Sequence, residues 1–229
     1  MEFEQKIHST ALIHPKSKIH PTVKIGAYSV VGENVQIDKG SEIGNFVTLA
    51  GNTTIGVDNK IYHYCSLGEV PQDKKFKNEK TYLSIGDGNT IREFCTFNVG
   101  TIDGGGVTQV GNNNWIMAYV HIAHDCKLGN DIVLANNSSL AGHVEIDNFA
   151  ILGGFTLVHQ FCKIGAHIIT AVGAIILMDI PPYIRVAGDN AKPNGINIEG
   201  LKRRKFSPEV IADIKKAYKI IYREGNTID

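Results

Sequence analysis

The sequence predicts an all-β solenoid, and three observations point to it. An apolar residue recurs every six positions, glycine and asparagine crowd the positions between, and the beat runs through most of the chain. A period of six matches neither the 3.6 of a helix nor an unbroken strand alternation. It suits short flat strands separated by corners, with one anchor per strand pointing inward. Repeats of this kind stack, because no single unit can bury its apolar face alone.

The anchors run from Ile7 through Ile13, Ile19, Ile25 and Val31 to Leu67, return at Ile85, Ile91 and Phe97, and continue from Val110 to Ile176. Thr170 is the one exception in the series. Four positions after each anchor comes a second inward site with small or β-branched residues, such as Ala11, Ser29, Val47, Thr53 and Val120. Cys65, Cys95, Cys126 and Cys162 all fall there, so they read as core fillers rather than as metal or redox thiols. Gly44, Gly56, Gly129, Asn136, Asn137 and Gly153 are expected to supply tight or left-handed corners. Three strands then close one triangular coil of three hexads, with neighbouring coils about 4.8 Å apart.

Residues 1–182 are expected to form this prism, interrupted by projecting loops at 70–84 and 102–109. Long loops on rigid scaffolds are where function concentrates. A link over 183–205 carries the basic run Lys202, Arg203, Arg204 and Lys205. The segment 206–229 reads as a helix, with Ser207 as N-cap, Pro208 at N1, an end near Arg223 and Gly225 behind it.

Composition narrows the function. Apolar residues at 43% and charged ones at 20% exclude a disordered chain. Lys plus Arg and Asp plus Glu are 23 each, so the molecule as a whole has no field to steer nucleic acid. The sequence has no apolar run of membrane-spanning length and no signal-like start, which points to the cytoplasm.

Nine histidines are present, none at an inward site. One coil length above His124 is Gly142, beside His143, and the next is Gln160, beside His159. Allowing for the extra residues of the second loop, the position below is Val99, beside Asn98. The spacing therefore predicts a column of Asn98, His124, His143 and His159, with His121 half a strand away. His124 beside Asp125 has the parts of a general base, and Gly142 can bring a backbone N–H to a developing oxyanion. A zinc site and a plain solvated edge are the other readings of the same residues.

The chain closely resembles the UDP-N-acetylglucosamine O-acyltransferases that begin lipid A synthesis, a hexapeptide-repeat family. The matching strings are HIAHDC (121–126), LANNSSLAGH (134–143), VHQFC (158–162), DIPPY (179–183) and NIEGLKRR (197–204). The resemblance implies a left-handed parallel β-helix of hexapeptide repeats with a short C-terminal α-helical segment, assembled as a homotrimer with sites between neighbours. That hand is an exception to the crossover rule. It also implies transfer of an (R)-3-hydroxyacyl group from acyl carrier protein to the 3-hydroxyl of UDP-N-acetylglucosamine. No cofactor is implied, because the donor arrives on the carrier's phosphopantetheine arm.

By the same resemblance His124 is the base, Asp125 orients it and Gly142 stabilises the oxyanion. Gln72, Asp73, Lys75 and His121 fall at the sugar, and His143 at the acyl region. His159, Gln160, Asn197, Glu199 and Arg204 fall at the acceptor or its nucleotide, and Lys202 with Arg203 where the acidic carrier docks. Asn98 stands where many members carry histidine, which bears on a phosphate contact and on the choice between 3-hydroxyl and 3-amino acceptors. Val172 stands where residue size sets acyl length, so a shorter chain is expected than glycine-bearing members accept. Resembling enzymes continue beyond the first C-terminal helix, so the helical segment reads as truncated or unusually short. The alternatives are a γ-type zinc carbonic anhydrase, the later N-acyltransferase of the pathway and a non-catalytic trimeric scaffold.

Overall fold

The structure is a computed structural model that describes residues 6–225; the expected chain ends, 1–5 and 226–229, lie outside the described residues. Strands of two to four residues, from Leu12–Ile13 to Ile175–Ile176, wind into a parallel β-helix with three faces. Among the described residues the three sheets hold nine, eight and ten strands, and within the coil each strand pairs with the third one after it, the exception being Ile169–Thr170, which pairs with Ile184–Ala187. Leu12 pairs with Val30, and Lys24 with Glu42, which is the three-hexad coil. The register survives both insertions, with Ser66 opposite Thr96 and Phe97 opposite Ile122. We call the faces the first, second and third sheets, beginning with strands Leu12–Ile13, Lys18–Ile19 and Lys24–Ile25.

The anchors form one continuous core, and most of those from Ile25 to Ile176 are almost wholly buried. Each such side chain contributes roughly 1.5–3 kcal/mol. Thr170 breaks the apolar pattern without leaving a polar orphan: its Oγ1 accepts from Gly153 N at 2.8 Å and lies 2.7 Å from Thr156 Oγ1.

The second inward site does more than fill space. The corner carbonyl one residue after an anchor is often served from below by the inward side chain of the preceding coil. Ser29 donates to Gly44 O at 2.8 Å, Ser41 to Gly56 O at 2.9 Å and Cys126 to Ala141 O at 3.2 Å. Asn59, Asn89 and Asn114 extend this into a buried ladder that the expectation of small or β-branched residues passed over. Asn89 Nδ2 donates to Gly111 O at 2.9 Å, while its Oδ1 accepts from Asn114 N at 2.9 Å. Asn89→Ala leaves both groups unpaired in a dry core and is expected to lower unfolding free energy by about 2–5 kcal/mol in denaturant titration; a loss under about 0.5 kcal/mol would contradict the ladder.

The four cysteines are buried free thiols. Burial pushes the Cys126 thiol up to about 12, so it is inert as a nucleophile or ligand at neutral pH.

The corners differ from expectation. Of the six residues expected to make them, only Asn137 is left-handed, with φ at 62°. The left-handed position is the third after each anchor, and it is held largely by aromatic residues. Tyr28, Phe46, Tyr64, Phe94 and Tyr119 stack in sequence with ring centroids 4.8–5.1 Å apart. Stacking offsets the roughly 1–2 kcal/mol that a left-handed non-glycine residue costs. Gly44 is needed for a different reason: a Cβ there would lie 2.9 Å from His63 N in the next coil.

The link over 183–205 is ordered structure rather than a bare connection. Ile184–Ala187 joins the third sheet and pairs antiparallel with Lys192–Ile196. Helix α1 (Ile198–Arg203) and helix α2 (Pro208–Arg223) follow. Ser207 caps α2 by accepting from Val210 N. Buried Tyr218 ties α2 to the hairpin: its hydroxyl accepts from Gly195 N at 2.9 Å and donates to Pro193 O at 3.2 Å.

Candidate active site

Both insertions leave the prism at the edge between the first and second sheets. Their flanking strands reach into the segments expected as loops, since Tyr82–Ile85 and Val107–Val110 pair in the second sheet. The projecting parts are therefore 70–81 and 99–106. His124, Asp125, His143, His159 and Gln160 lie at corners of the same edge, above the loops.

Asp125 sits at the left-handed corner position with φ at 60°, and its side chain is wholly buried. The second loop holds it: Oδ1 accepts from Thr101 N at 2.8 Å and Oδ2 from Thr101 Oγ1 at 2.6 Å. Thr108 Oγ1 accepts from Asp125 N at 2.8 Å. Neither threonine was singled out from the sequence. The available signal was the glycine run 104–106, since a Cβ on Gly104 would collide with the Asp125 carboxylate.

His124 Nδ1 lies 2.8 Å from Asp125 Oδ2. A carboxylate only accepts, so Nδ1 carries the proton and Nε2 is left as the basic nitrogen. The ring lies over Gly142, where a Cβ would be 2.6 Å from Cε1 and 2.7 Å from Nε2. Gly142 is buried, and its N–H has no acceptor among the described hydrogen bonds, although Ala141 N and His143 N both have one. A basic imidazole nitrogen and a free backbone donor thus share one small space.

The expected column is only partly formed. His143 meets His124 edge to face at 5.0 Å and stacks on Phe161 at 4.4 Å. His159 is exposed and contacts the carbonyl of Gln160 at 3.2 Å; it takes the first position after its anchor, where His124 takes the second and His143 the third. His121 points outward from its strand, with Nδ1 2.8 Å from Thr96 Oγ1. Asn98 is buried at the foot of the first loop, its Nδ2 donating to Val70 O. In that loop Gln72 and Lys75 are exposed, and Asp73 Oδ1 accepts from Lys75 N at 2.9 Å.

The remaining candidates lie elsewhere on the chain. Val172, 74% exposed, is at the edge between the third and first sheets. Arg204 places its guanidinium over Phe149, 4.1 Å from the ring centre, at the edge between the second and third sheets. Asn197 is the N-cap of α1, its Oδ1 accepting from Gly200 N at 3.1 Å and its Nδ2 donating to His167 O at 2.9 Å. Both ends of the Asn197 amide are thus engaged within the chain. Glu199 pairs with Lys202 at 3.3 Å, and Arg203 is exposed. A cleft of about 690 Å³ beside α1 and α2 is lined by Arg185, Lys202, Lys215, Lys219 and Arg223 with Glu199 among them.

His124 Nδ1, Asp125 Oδ2 and a ring nitrogen of His143 lie close enough to be read as metal ligands. Coordination would break the His124–Asp125 hydrogen bond at a carboxylate that Thr101 already grips from both oxygens, so the geometry favours the dyad.

Burial holds the His121 imidazole below its ordinary value of 6.5, and burial reinforced by the Arg204 charge does the same for His167. The unfolded chain therefore takes up protons that the folded rings refuse. Unfolding free energy is expected to be highest above about pH 7 and to fall as pH drops through 6.5, as chemical denaturation across that range would show.

Fold and site define a hexapeptide-repeat transferase with a histidine–aspartate dyad on one edge. The family model for UDP N-acetylglucosamine O-acyltransferase, domain 2, matches residues 179–229, and the bacterial transferase hexapeptide model matches 16–51 and 108–142. The acyl-[acyl-carrier-protein]–UDP-N-acetylglucosamine O-acyltransferase of Thiobacillus denitrificans is 57% identical over 97% of this chain and 86% of its own. That of Herminiimonas arsenicoxydans is 58% identical over 96% and 84%. Among solved structures, the UDP-N-acetylglucosamine acyltransferase of Francisella novicida superposes with a TM-score of 0.95 at 46% identity, over 97% of this chain and 82% of its own. LpxA of Acinetobacter baumannii gives 0.95 at 42%, over 97% and 86%. The chain belongs to the UDP-N-acetylglucosamine O-acyltransferase family, and its coil is the left-handed parallel β-helix.

Proposed function

We propose that His124 is the general base of an acyl transfer from acyl carrier protein to UDP-N-acetylglucosamine, the opening step of lipid A synthesis. His124 Nε2 takes the proton of the sugar 3-hydroxyl as its oxygen attacks the thioester carbon of a 3-hydroxyacyl group. The new ester C–O bond forms, the C–S bond breaks, and the proton passes from His124 to the departing thiolate. Asp125 holds the imidazole in the tautomer that leaves Nε2 free and stabilises the imidazolium while it lasts. The N–H of Gly142 faces the developing oxyanion. The observation that carries this reading is the 2.8 Å His124–Asp125 bond beside an unpartnered Gly142 N–H. No cofactor enters the scheme.

The dyad, Val172 and Arg204 occupy three different edges of one chain. A site that uses all of them needs neighbouring copies, which supports a homotrimer with sites between protomers. His121, Gln72, Asp73 and Lys75 share the dyad's edge and suit the sugar, while His143 on Phe161 suits the acyl chain. His159, Gln160 and Arg204 are exposed and free to meet the nucleotide. The basic rim of the cleft beside α2, with Lys202 and Arg203, suits an acidic carrier protein. Among the described residues no helix is long and apolar enough to cross a membrane. Four unpaired core thiols suit the reducing cytoplasm.

The test is incubation with UDP-N-acetylglucosamine, or its 3-amino counterpart, and 3-hydroxyacyl carrier proteins of graded length, with product read by mass spectrometry. An O-acylated UDP-sugar is expected, and absence of product from every donor would overturn the reading. Val172→Gly is expected to shift the preferred donor to longer chains; an unchanged preference would remove Val172 from the acyl path.

A further inference from the structure

We propose that Thr101 is a positioning residue of the acyl transfer, its hydroxyl keeping the Asp125 carboxylate turned toward His124. This rests on the His124 edge being the acyl-transfer site. Three side chains meet at one carboxylate oxygen: Asp125 Oδ2 lies 2.6 Å from Thr101 Oγ1, 2.8 Å from His124 Nδ1 and 3.9 Å from His143 Nδ1. The hydroxyl has one proton to give, and the carboxylate takes it, while a lone pair accepts from Gly104 N at 3.2 Å. Thr101 N donates to the other oxygen, Oδ1, at 2.8 Å.

The torsion that turns an aspartate carboxylate is soft, with no sharp staggered wells. A residue that grips both oxygens removes this freedom, and it does so where two imidazoles compete for one acceptor. His143 stands edge to face with His124, so a carboxylate left to turn would divide its hydrogen bond between the two rings. The Asp125 side chain is wholly buried, and a hydrogen bond to a charge is strongest where water is excluded. Loop closure does not depend on the hydroxyl, because Gly104 N and Gly106 N also donate to Thr101 O, at 3.1 and 2.7 Å. Thr101→Val therefore keeps the backbone of the second loop and the N–H to Oδ1, and removes one hydrogen bond from Asp125.

Steady-state kinetics with UDP-N-acetylglucosamine and a 3-hydroxyacyl carrier protein test this. Thr101→Val is expected to lower kcat about ten- to a hundredfold, the worth of one hydrogen bond to a charged group, with KM for the UDP-sugar within about twofold of wild type. Thr101→Ser keeps the hydroxyl and is expected to recover kcat to within about threefold of wild type. In an Asp125→Ala background Thr101→Val is expected to cost nothing further, since the group it acts through is gone. A melt of each variant checks folding, and Thr101→Ala replaces Thr101→Val if that chain does not fold. A kcat loss below about threefold in Thr101→Val would overturn the proposal, as would a serine variant as slow as the valine one or a full extra loss in the Asp125→Ala background. Turnover by the wild type and its loss in His124→Ala test the acyl-transfer reading separately. A protein whose turnover needs His124 but not the Thr101 hydroxyl defeats this inference alone.

Discussion

Substituting alanine for His124 is expected to lower kcat by about 10²–10⁴ while KM for the UDP-sugar changes little. Proton removal from the attacking hydroxyl is needed in the transition state, whereas ground-state binding draws on other residues of the edge. The ring is only partly exposed and its partner is wholly buried, so the variant leaves Asp125 with its two Thr101 hydrogen bonds. Folding should survive, as a thermal melt of the variant would verify. A kcat within about threefold of wild type would remove His124 from the chemistry and leave the dyad a structural feature.

Gly142→Ala carries the second large effect, about 10²–10³ in kcat. The new Cβ would sit 2.6 Å from His124 Cε1 and 2.7 Å from Nε2, so the imidazole must swing away from Asp125. One methyl group thereby disturbs the base and crowds the oxyanion donor together. Gly154→Ala supplies the comparison for folding: it occupies the same corner position on another edge, where the nearest atom to a Cβ is Asn136 O at 3.3 Å. Steady-state kinetics of Gly142→Ala with a melt of each variant separates a displaced base from general corner strain. Full activity in Gly142→Ala would mean that the ring does not rest over the glycine during catalysis.

Much of the prism was legible because hexapeptide packing is local. Each anchor needs only its own strand and the coils directly above and below, so a six-residue beat carries the core, the three faces and the 18-residue register. That register also placed Gly142 over His124 before any coordinates. The same one-dimensional reasoning failed at the corners, where sequence alone favoured glycine for the left-handed position. There the aromatic ladder from Tyr28 to Tyr119 wins by contacts between coils, and a single hexad cannot express that.

The candidate site divides in a similar way. His124, Asp125 and Gly142 were legible because they occupy consecutive corners of one regular edge. Thr101 was not, since it reaches Asp125 from an irregular loop whose path no periodicity encodes. The orphaned Oδ1 of Asn98 was equally hidden, because an unmet hydrogen bond exists only once every neighbour has been placed. The structural role of Asn197 was hidden too: its motif suggested a ligand contact, whereas its cap on α1 and its bond to His167 O became visible only in three dimensions. Sequence by itself determined what repeats, namely the solenoid, its inward residues and the edge on which the histidines gather. Tertiary structure alone decided which polar groups are satisfied and which remain open, because that depends on distances between segments far apart in the chain.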